Sequence, residues 1–331
     1  MKVLFTLRVA PELRKYYQES LPVNIELIFP PELEEETILK LAPDADIAVG
    51  YKFSPTFLKS AKNLKHIQVP WTGSETLDFG LLKKYPDITV SNSHSNSLAI
   101  AEHAIALLIA AAKRIPYCDS NMRKGDWGPR YDKTNGYWLS EKTLGVIGYG
   151  AIGKKVARIL KNGFQMKVLA IKRNPEKKDQ YKNCDFLGGP EDLHHVLKES
   201  DFILVSLPIT RETEGLIGEE ELSLMKETAI LVNISRGSII DESSLFLSLK
   251  EKKIAAAGLD VWYNYPKDRS NPTNVFQNQP FEELDNIVMT PHSAFKIAER
   301  ELIFTKDIIE NILLVSKGKN PKNQLNLDLG Y

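Results

Sequence analysis

A short apolar run, Leu144-Gly145-Val146-Ile147, passes directly into Gly148-Tyr149-Gly150-Ala151-Ile152-Gly153 and then into Lys154-Lys155-Val156-Ala157-Arg158-Ile159-Leu160. The first segment reads as a strand and the last as a helix, so the glycines between them dictate how the chain turns. Gly148 serves the tight turn, Gly150 leaves the backbone open to close approach, and Gly153 lets the helix lie against the strand. A helix starting there presents unpaired N–H groups and the positive end of its dipole, which suits a phosphate. With a second strand following at Lys167 to Ile171, the order is that of a dinucleotide-binding βαβ unit, and Gly148, Gly150, Ala151 and Ile152 are its expected phosphate contacts.

The rest of the chain repeats the same alternation. Apolar, β-branched runs occur at Val3 to Leu7, Ile25 to Phe29, Ile47 to Val49, Ile67 to Val69 and Ile88 to Val90, separated by stretches long enough for helices. A second series runs through Leu144 to Gly148, Lys167 to Ile171, Phe202 to Leu207, Ile230 to Asn233, Ala256 to Val261 and Ile287 to Met289. The fold class is therefore α/β with parallel sheets, and 331 residues suffice for two domains at roughly 150 residues each. Between the two series lies a segment from Ser97 to Ile115, apolar nearly all round, expected to be a helix buried on every side at a seam or subunit interface. Residues 119–140 read as an irregular excursion, and Lys296 to Tyr331 as a tail whose amphipathic helix packs back on the first domain.

Lys+Arg and Asp+Glu both number 43, and the pI is near 7.0. Such a balance offers no field for a polyanion, so nucleic acid and an anionic membrane are excluded as expected partners in favour of small ligands. Cys118 and Cys184 are far apart with no metal-like spacing, which predicts free thiols and no metal. The first residues lack a leader-like apolar region, and the run from Ala104 to Ala112 is about half of the ~18 residues that a membrane span needs. A cytoplasmic location is expected.

Strand Lys167 to Ile171 ends in Lys172-Arg173. An acidic residue there would bind ribose hydroxyls and repel a 2′-phosphate, whereas two cations do the reverse. NADP(H) is thus the preferred cofactor, with NAD(H) as the alternative. Three later strands end in Ser235-Arg236-Gly237, Asp260-Val261-Trp262 and Pro291-His292-Ser293. Ligands of open α/β sheets bind beyond the carboxyl ends of strands, so Arg236, Asp260 and His292 are expected to converge.

Together with Trp71-Thr72-Gly73-Ser74-Glu75, Ala101-Glu102-His103 and the stretch Asp201 to Thr210, these motifs give the chain a resemblance, over nearly its whole length, to the D-isomer-specific 2-hydroxy acid dehydrogenases. The resemblance implies a flavodoxin-like substrate domain of residues 1–95 plus 296–331. Inserted in it is an NAD(P)-binding Rossmann domain of residues 96–295, with the active site between the two and a homodimer through the helix near 97–115. It further implies reduction of a small 2-oxo acid, such as glyoxylate or hydroxypyruvate, to the D-2-hydroxy acid, or the reverse. Arg236 would clamp the substrate carboxylate, helped by backbone N–H groups at Thr72 and Gly73, and His292 would be the acid/base. Leu207, Pro208, Thr213, Ile234, Arg236 and Asp260 would join the phosphate-loop residues, Lys172 and Arg173 as cofactor contacts.

Two departures from the family pattern stand out: one extra residue within 161–166, which leaves open whether Lys172 or Arg173 takes the family's acidic position, and Tyr265, which stands where a glutamate usually bonds the histidine. A phenol stabilises imidazolium less than a carboxylate does; Asp268, Glu282 or Glu283 are the acidic residues that can take over the role. Trp71, Trp127, Tyr131 and Trp138 are aromatics that either shape a pocket or serve as packing. A dinucleotide-sensing, corepressor-like dimer with little turnover is the competing reading, and formate or phosphite oxidation is another activity of the same architecture.

Overall fold

The computed structural model describes residues 1–175, 183–266 and 277–330 and divides into two compact units, one of residues 1–96 with 297–331 and one of residues 97–296. In the first unit, strands β1 (Lys2–Phe5), β2 (Glu26–Ile28), β3 (Ile47–Val49), β4 (His66–Gln68) and β5 (Thr89–Ser91) form a parallel sheet in the order β2-β1-β3-β4-β5. Successive residues of a strand point to opposite faces. Leu4, Ala48, Ile67 and Val90 accordingly enter one apolar cluster, while Val3, Phe5, Ile47 and Val49 enter another. Both faces are apolar, as a parallel sheet covered on both sides requires. The tail helix, Arg300–Ser316, contributes Ile308, Ile309 and Ile312 to the second cluster, so the end of the chain completes this unit.

A polar cluster fixes that helix to the sheet. Asn311 donates to Gln68 Oε1 at 2.6 Å and to the Lys322 carbonyl, and its own oxygen accepts the Lys322 N–H. His66, next along on the same face of β4, is fully buried, with Nδ1 2.9 Å from Thr89 Oγ1. Burial pushes this imidazole down to about 4, against the opposing hydrogen bonds at Gln68 and Thr89.

In the second unit, β6 (Thr143–Ile147), β7 (Lys167–Ile171), β8 (Phe186–Gly188), β9 (Phe202–Val205), β10 (Ile230–Asn233), β11 (Ala256–Leu259) and β12 (Ile287–Met289) form one parallel sheet. Their order is β12-β11-β10-β9-β6-β7-β8. Leu144, Val146, Val168, Phe202, Leu204, Ile230 and Val232 face the helices Ser97–Ala112 and Ala151–Phe164. Ile147, Leu169, Ile203, Val205 and Leu231 face the opposite layer. From β6 the chain steps outward through β7 to β8, then returns to the other side of β6 as β9. The order therefore reverses between β6 and β9, where a doubly wound sheet opens a crevice at its carboxyl edge. No helix among the described residues is long and apolar enough to cross a membrane.

Two sequence expectations need correction. The helix from Ser97 stops at Ala112 rather than Ile115: Arg114 is left-handed at φ 55° and a separate helix, Ile115–Met122, begins with Pro116 in its first turn. Proline lacks the N–H and collides with the preceding turn of a continuing helix, so the break falls before it. Residues 119–140 are less irregular than expected, holding the end of that helix and a short one, Gly128–Tyr131. Within the single chain the burial of helix Ser97–Ala112 is uneven. Ala101, Ala104, Leu107, Leu108 and Ala112 are buried, while Leu98, Glu102 and Ala106, one turn apart, form an exposed stripe.

The buried His66 makes a pH prediction. Its folded value lies below its ordinary 6.5, so the unfolded chain takes up a proton that the folded chain refuses. Stability is full above pH 6.5 and falls as pH drops toward 4, by about 2 kcal/mol at pH 5 and on the order of 3 kcal/mol in total. Urea unfolding between pH 7.5 and 5 should show this loss, and His66→Gln should remove most of it; an unchanged pH dependence in the variant contradicts the assignment.

Candidate functional site

The turn after β6 has the steric signature that its glycines suggest. Gly148 sits at φ 105°, and a Cβ on it would lie 2.5 Å from the Ser206 carbonyl oxygen. A Cβ on Gly153 would lie 2.4 Å from the Gly148 carbonyl, so helix Ala151–Phe164 approaches the strand as closely as a missing side chain permits. Gly150 differs: nothing stands within 4 Å of where its Cβ would be. It occupies the N-cap position and has no side chain to bond the first-turn N–H groups. Space and donors thus coincide at Gly150, Ala151 and Ile152, which is the cradle a pyrophosphate needs. Ser206 braces the turn by donating to the Gly148 carbonyl at 2.7 Å.

The carboxyl ends of β9 and β10 are tied together beside this cradle. Ser235 Oγ donates to the Val205 carbonyl and accepts the Leu207 N–H at 2.9 Å, and the Ser235 N–H is held by Asn233 Oδ1. Thr213 Oγ1 donates to the Pro208 carbonyl and accepts the Thr210 N–H, which fixes the loop after β9. Leu207, Pro208, Thr213 and Ile234 therefore line one braced loop cluster, with Ile234 buried. Arg236 follows in extended conformation and half-buried; its Nη1 donates to the Ser235 carbonyl, and the Arg236 carbonyl accepts from Asn233 Nδ2.

At the ends of β11 and β12 the controlling group is Asp260, which is 1% exposed. Its Oδ1 accepts the Thr290 hydroxyl at 2.6 Å and the Ser293 N–H at 2.8 Å, and its Oδ2 accepts the Ala294 N–H at 3.0 Å. Burial pushes this carboxyl up, but hydrogen bonds from His103, Thr290, Ser293 and Ala294 outweigh it and hold the group below the ordinary carboxylate range. Asp260 is therefore ionised, with both oxygens gripping the residues just after His292. His292 itself is left-handed at φ 50°, a conformation costing about 1–2 kcal/mol outside glycine. The grip on Ser293 and Ala294 offsets that cost.

Tyr265 comes to the same place. Its ring lies 5.5 Å from that of His292, centroid to centroid, and its hydroxyl accepts the Trp262 N–H at 3.3 Å. Phe295 flanks the imidazole on another side at 6.0 Å. Glu282 is exposed and accepts from Gln277, Glu283 is exposed, and Asp268 lies outside the described residues.

Lys172 and Arg173 follow β7, the Lys172 N–H bonding the Gly188 carbonyl and Arg173 Nη2 standing 3.6 Å from Glu212 Oε2. A carboxylate thus already neighbours one of the two cations. In the first unit, Thr72 Oγ1 donates to the Ser93 carbonyl and stands 3.1 Å from Asn96 Oδ1, and Asn92 Nδ2 donates to the Thr72 carbonyl, so the Thr72–Gly73 loop is fastened to the segment after β5. Trp71 packs on Tyr51, while Trp127, Tyr131 and Trp138 are largely exposed. No sequence pattern announces the roles of Ser206, Ser235, Thr290 and His103: Ser206, Ser235 and His103 lie within motif segments, but only the fold shows what they bond.

A sequence profile described as "D-isomer specific 2-hydroxyacid dehydrogenase, NAD binding domain" matches residues 105–294, within the second unit. The chain is 34% identical over 331 residues to a D-3-phosphoglycerate dehydrogenase of Archaeoglobus fulgidus, covering 99% of this chain and 59% of that one. It spans little more than half the length of such relatives. It is 33% identical to a glyoxylate reductase of Aeropyrum pernix, covering 99% of this chain and 96% of the other. Among solved structures it resembles an acyclic imino acid reductase in complex with NADPH and D-Arg, at 30% identity and TM-score 0.76, covering 98% of this chain and 100% of that one. It also resembles a D-lactate dehydrogenase with NAD+ from Lactobacillus jensenii, at 27% identity and TM-score 0.73 with the same coverage.

The glycine geometry separates fold from binding. Gly153→Ala forces a methyl against a backbone oxygen and should lower the melting temperature by several degrees. Gly150→Ala has room and an ordinary backbone, so its melt should match wild type while dinucleotide affinity, titrated by fluorescence of the reduced cofactor, falls at least about tenfold. Unimpaired binding by Gly150→Ala would remove the cradle assignment.

Proposed function

The chain belongs to the D-isomer specific 2-hydroxyacid dehydrogenase family, and we propose that it reduces a small 2-oxo acid to the D-2-hydroxy acid with a nicotinamide dinucleotide, or runs the reverse reaction. The observation that carries this reading is the placement of Arg236, Asp260 and His292 just past the ends of three adjacent parallel strands, β10, β11 and β12. The glycine cradle lies four strands from β12 along the same edge, about 19 Å at the usual strand spacing.

Residues of the second unit would hold the cofactor: first-turn N–H groups at Gly150, Ala151 and Ile152 for the pyrophosphate, and the braced loops at Leu207, Pro208, Thr213, Ile234 and Arg236 beyond it. When bound, the reduced nicotinamide supplies the hydride. Arg236 binds the substrate carboxylate through its guanidinium fork and draws charge toward it. His292 holds the proton destined for the carbonyl oxygen, a task for which imidazole is suited near neutral pH. Asp260 keeps that imidazole in place rather than exchanging protons, since its oxygens are already bonded. Thr72 and Gly73, as carboxylate-binding backbone donors, are part of the same proposal.

Lys172 and Arg173 favour NADP(H), because a 2′-phosphate would find two cations after β7. Glu212 opposes this, and the preference measures which influence prevails. A homodimer through the helix Ser97–Ala112 would cover the stripe of Leu98, Glu102 and Ala106 that the single chain leaves exposed; sizing that returns a monomer throughout removes that part.

Glyoxylate, hydroxypyruvate, pyruvate, a bulkier 2-oxo acid and a 2-oxo acid with ammonia, each with NADPH or NADH, test the reading through absorbance of the reduced nicotinamide. Turnover of at least one oxo acid is expected, fastest with NADPH. Arg236→Leu should lose about 100-fold or more in kcat/KM, and Lys172→Ala/Arg173→Ala should weaken NADPH much more than NADH. Cofactor-dependent dimerisation with no turnover would favour the corepressor-like reading instead.

Tyr265 yields a separate prediction. A carboxylate beside His292 stabilises imidazolium and keeps the proton available at higher pH. In Tyr265→Glu the fall of oxo-acid reduction with rising pH should move up by about one unit; a stationary profile shows that this position does not tune His292.

A further inference from the structure

We propose that His103 is a positioning residue for His292, acting through Thr290 and Asp260. The proposal rests on the acid/base reading of His292 given above and extends the machinery to a helix on the face of the sheet. His103 lies on the helix Ser97–Ala112 with its ring half-buried. Its Nε2 stands 3.1 Å from Thr290 Oγ1 and 3.4 Å from Asp260 Oδ1. The Thr290 hydroxyl gives its hydrogen to Asp260 Oδ1, so its oxygen is left to accept, and Nε2 must carry the hydrogen it receives. The chain of donors therefore runs from His103 to Thr290 to Asp260, whose oxygens hold Ser293 and Ala294.

The geometry is closed from several sides. Thr290 is pinned by its own N–H to the Leu259 carbonyl, by its carbonyl to Trp262 Nε1, and by that same carbonyl to the His292 N–H. Beyond Thr290, the segment after His292 is held by its two N–H bonds to Asp260 and by the Lys296 N–H on the Ser293 carbonyl. Those bonds are strong only while the carboxylate is ionised, and an ionised carboxylate so deeply buried needs every donor it has. Among the described residues, His103 is the side-chain donor to this cluster that comes from outside the β11 and β12 loops. Without it Asp260 takes a proton more readily, its hold on Ser293 and Ala294 weakens, and His292 relaxes from φ 50° toward unstrained backbone. The imidazole then loses its aim, while the glycine cradle on β6 is untouched.

The test compares His103→Leu, His103→Gln and Thr290→Val in the full-length protein. His103→Leu should bind the reduced dinucleotide within about twofold of wild type but lose roughly 10- to 100-fold in kcat, as expected for one hydrogen bond to a charged group. Glutamine can present an N–H in a similar place and should recover most of that loss. Thr290→Val cuts the chain at its middle and should show the same kcat defect, which keeps the proposal testable if the leucine variant folds poorly. Six histidines make imidazole NMR tractable: without cofactor or substrate, the His292 ring signals should shift and broaden in His103→Leu and return in His103→Gln. Wild-type kcat in His103→Leu, equal loss in the leucine and glutamine variants, or loss confined to dinucleotide affinity would each overturn the proposal. His292→Gln is the control: if it keeps wild-type turnover, the acid/base reading falls and takes this proposal with it. If it is inactive while His103→Leu is not, only the role of His103 falls.

Discussion

A buried carboxylate in an apolar sheet has to be offset by donors, and around Asp260 they come from several directions. Thr290 and the backbone of Ser293 and Ala294 approach from beyond β12, and His103 approaches from the helix on the sheet's face. The same bonds that keep the group ionised set the path of the chain after His292. On the acid/base role proposed for His292, electrostatic necessity and placement of the imidazole are one feature: the carboxylate that must be satisfied also holds the two N–H groups that follow His292.

The wider architecture makes this local arrangement possible. Every strand of the second sheet runs in the same direction, so the residues following β6, β9, β10, β11 and β12 all emerge on one edge. Alternation along each strand buries apolar residues on both faces, which holds the sheet between helical layers and leaves the edge as its polar, addressable part. Ser206 and Ser235 then knit neighbouring strand ends together across that edge. Phosphate cradle, guanidinium and imidazole are spaced by strand pairing itself, not by long flexible loops.

What could be read from the sequence followed from local pattern. The glycine turn, the strands Ile47–Val49, Lys167–Ile171, Ile230–Asn233 and Ile287–Met289, and the α/β class all depend on short-range spacing, and the structure shows them at those residues. The edge strand Phe186–Gly188 escaped notice because three residues ending in glycine make a weak pattern, and only pairing with β7 defines it. The stop at Ala112 was signalled by Pro116 but masked by the apolar run before it. The link between His103 and Thr290 spans 187 positions, and no periodicity announces a hydrogen bond between residues that far apart. Likewise Tyr265 was visible as a departure, yet its ring packing on His292 and its bond to the Trp262 N–H are properties of the folded loop.

The most direct test of this coupling between buried charge and catalytic placement is the turnover of Asp260→Asn. An amide keeps the shape but turns one acceptor into a donor, so one of the two backbone N–H bonds that aim His292 must be lost. The expected result is a folded protein that, at saturating reduced dinucleotide, reduces its oxo acid at least roughly 100-fold more slowly. Turnover of the Asp260→Asn variant at the wild-type rate would contradict the coupling, because His292 would then be held by something other than this carboxylate.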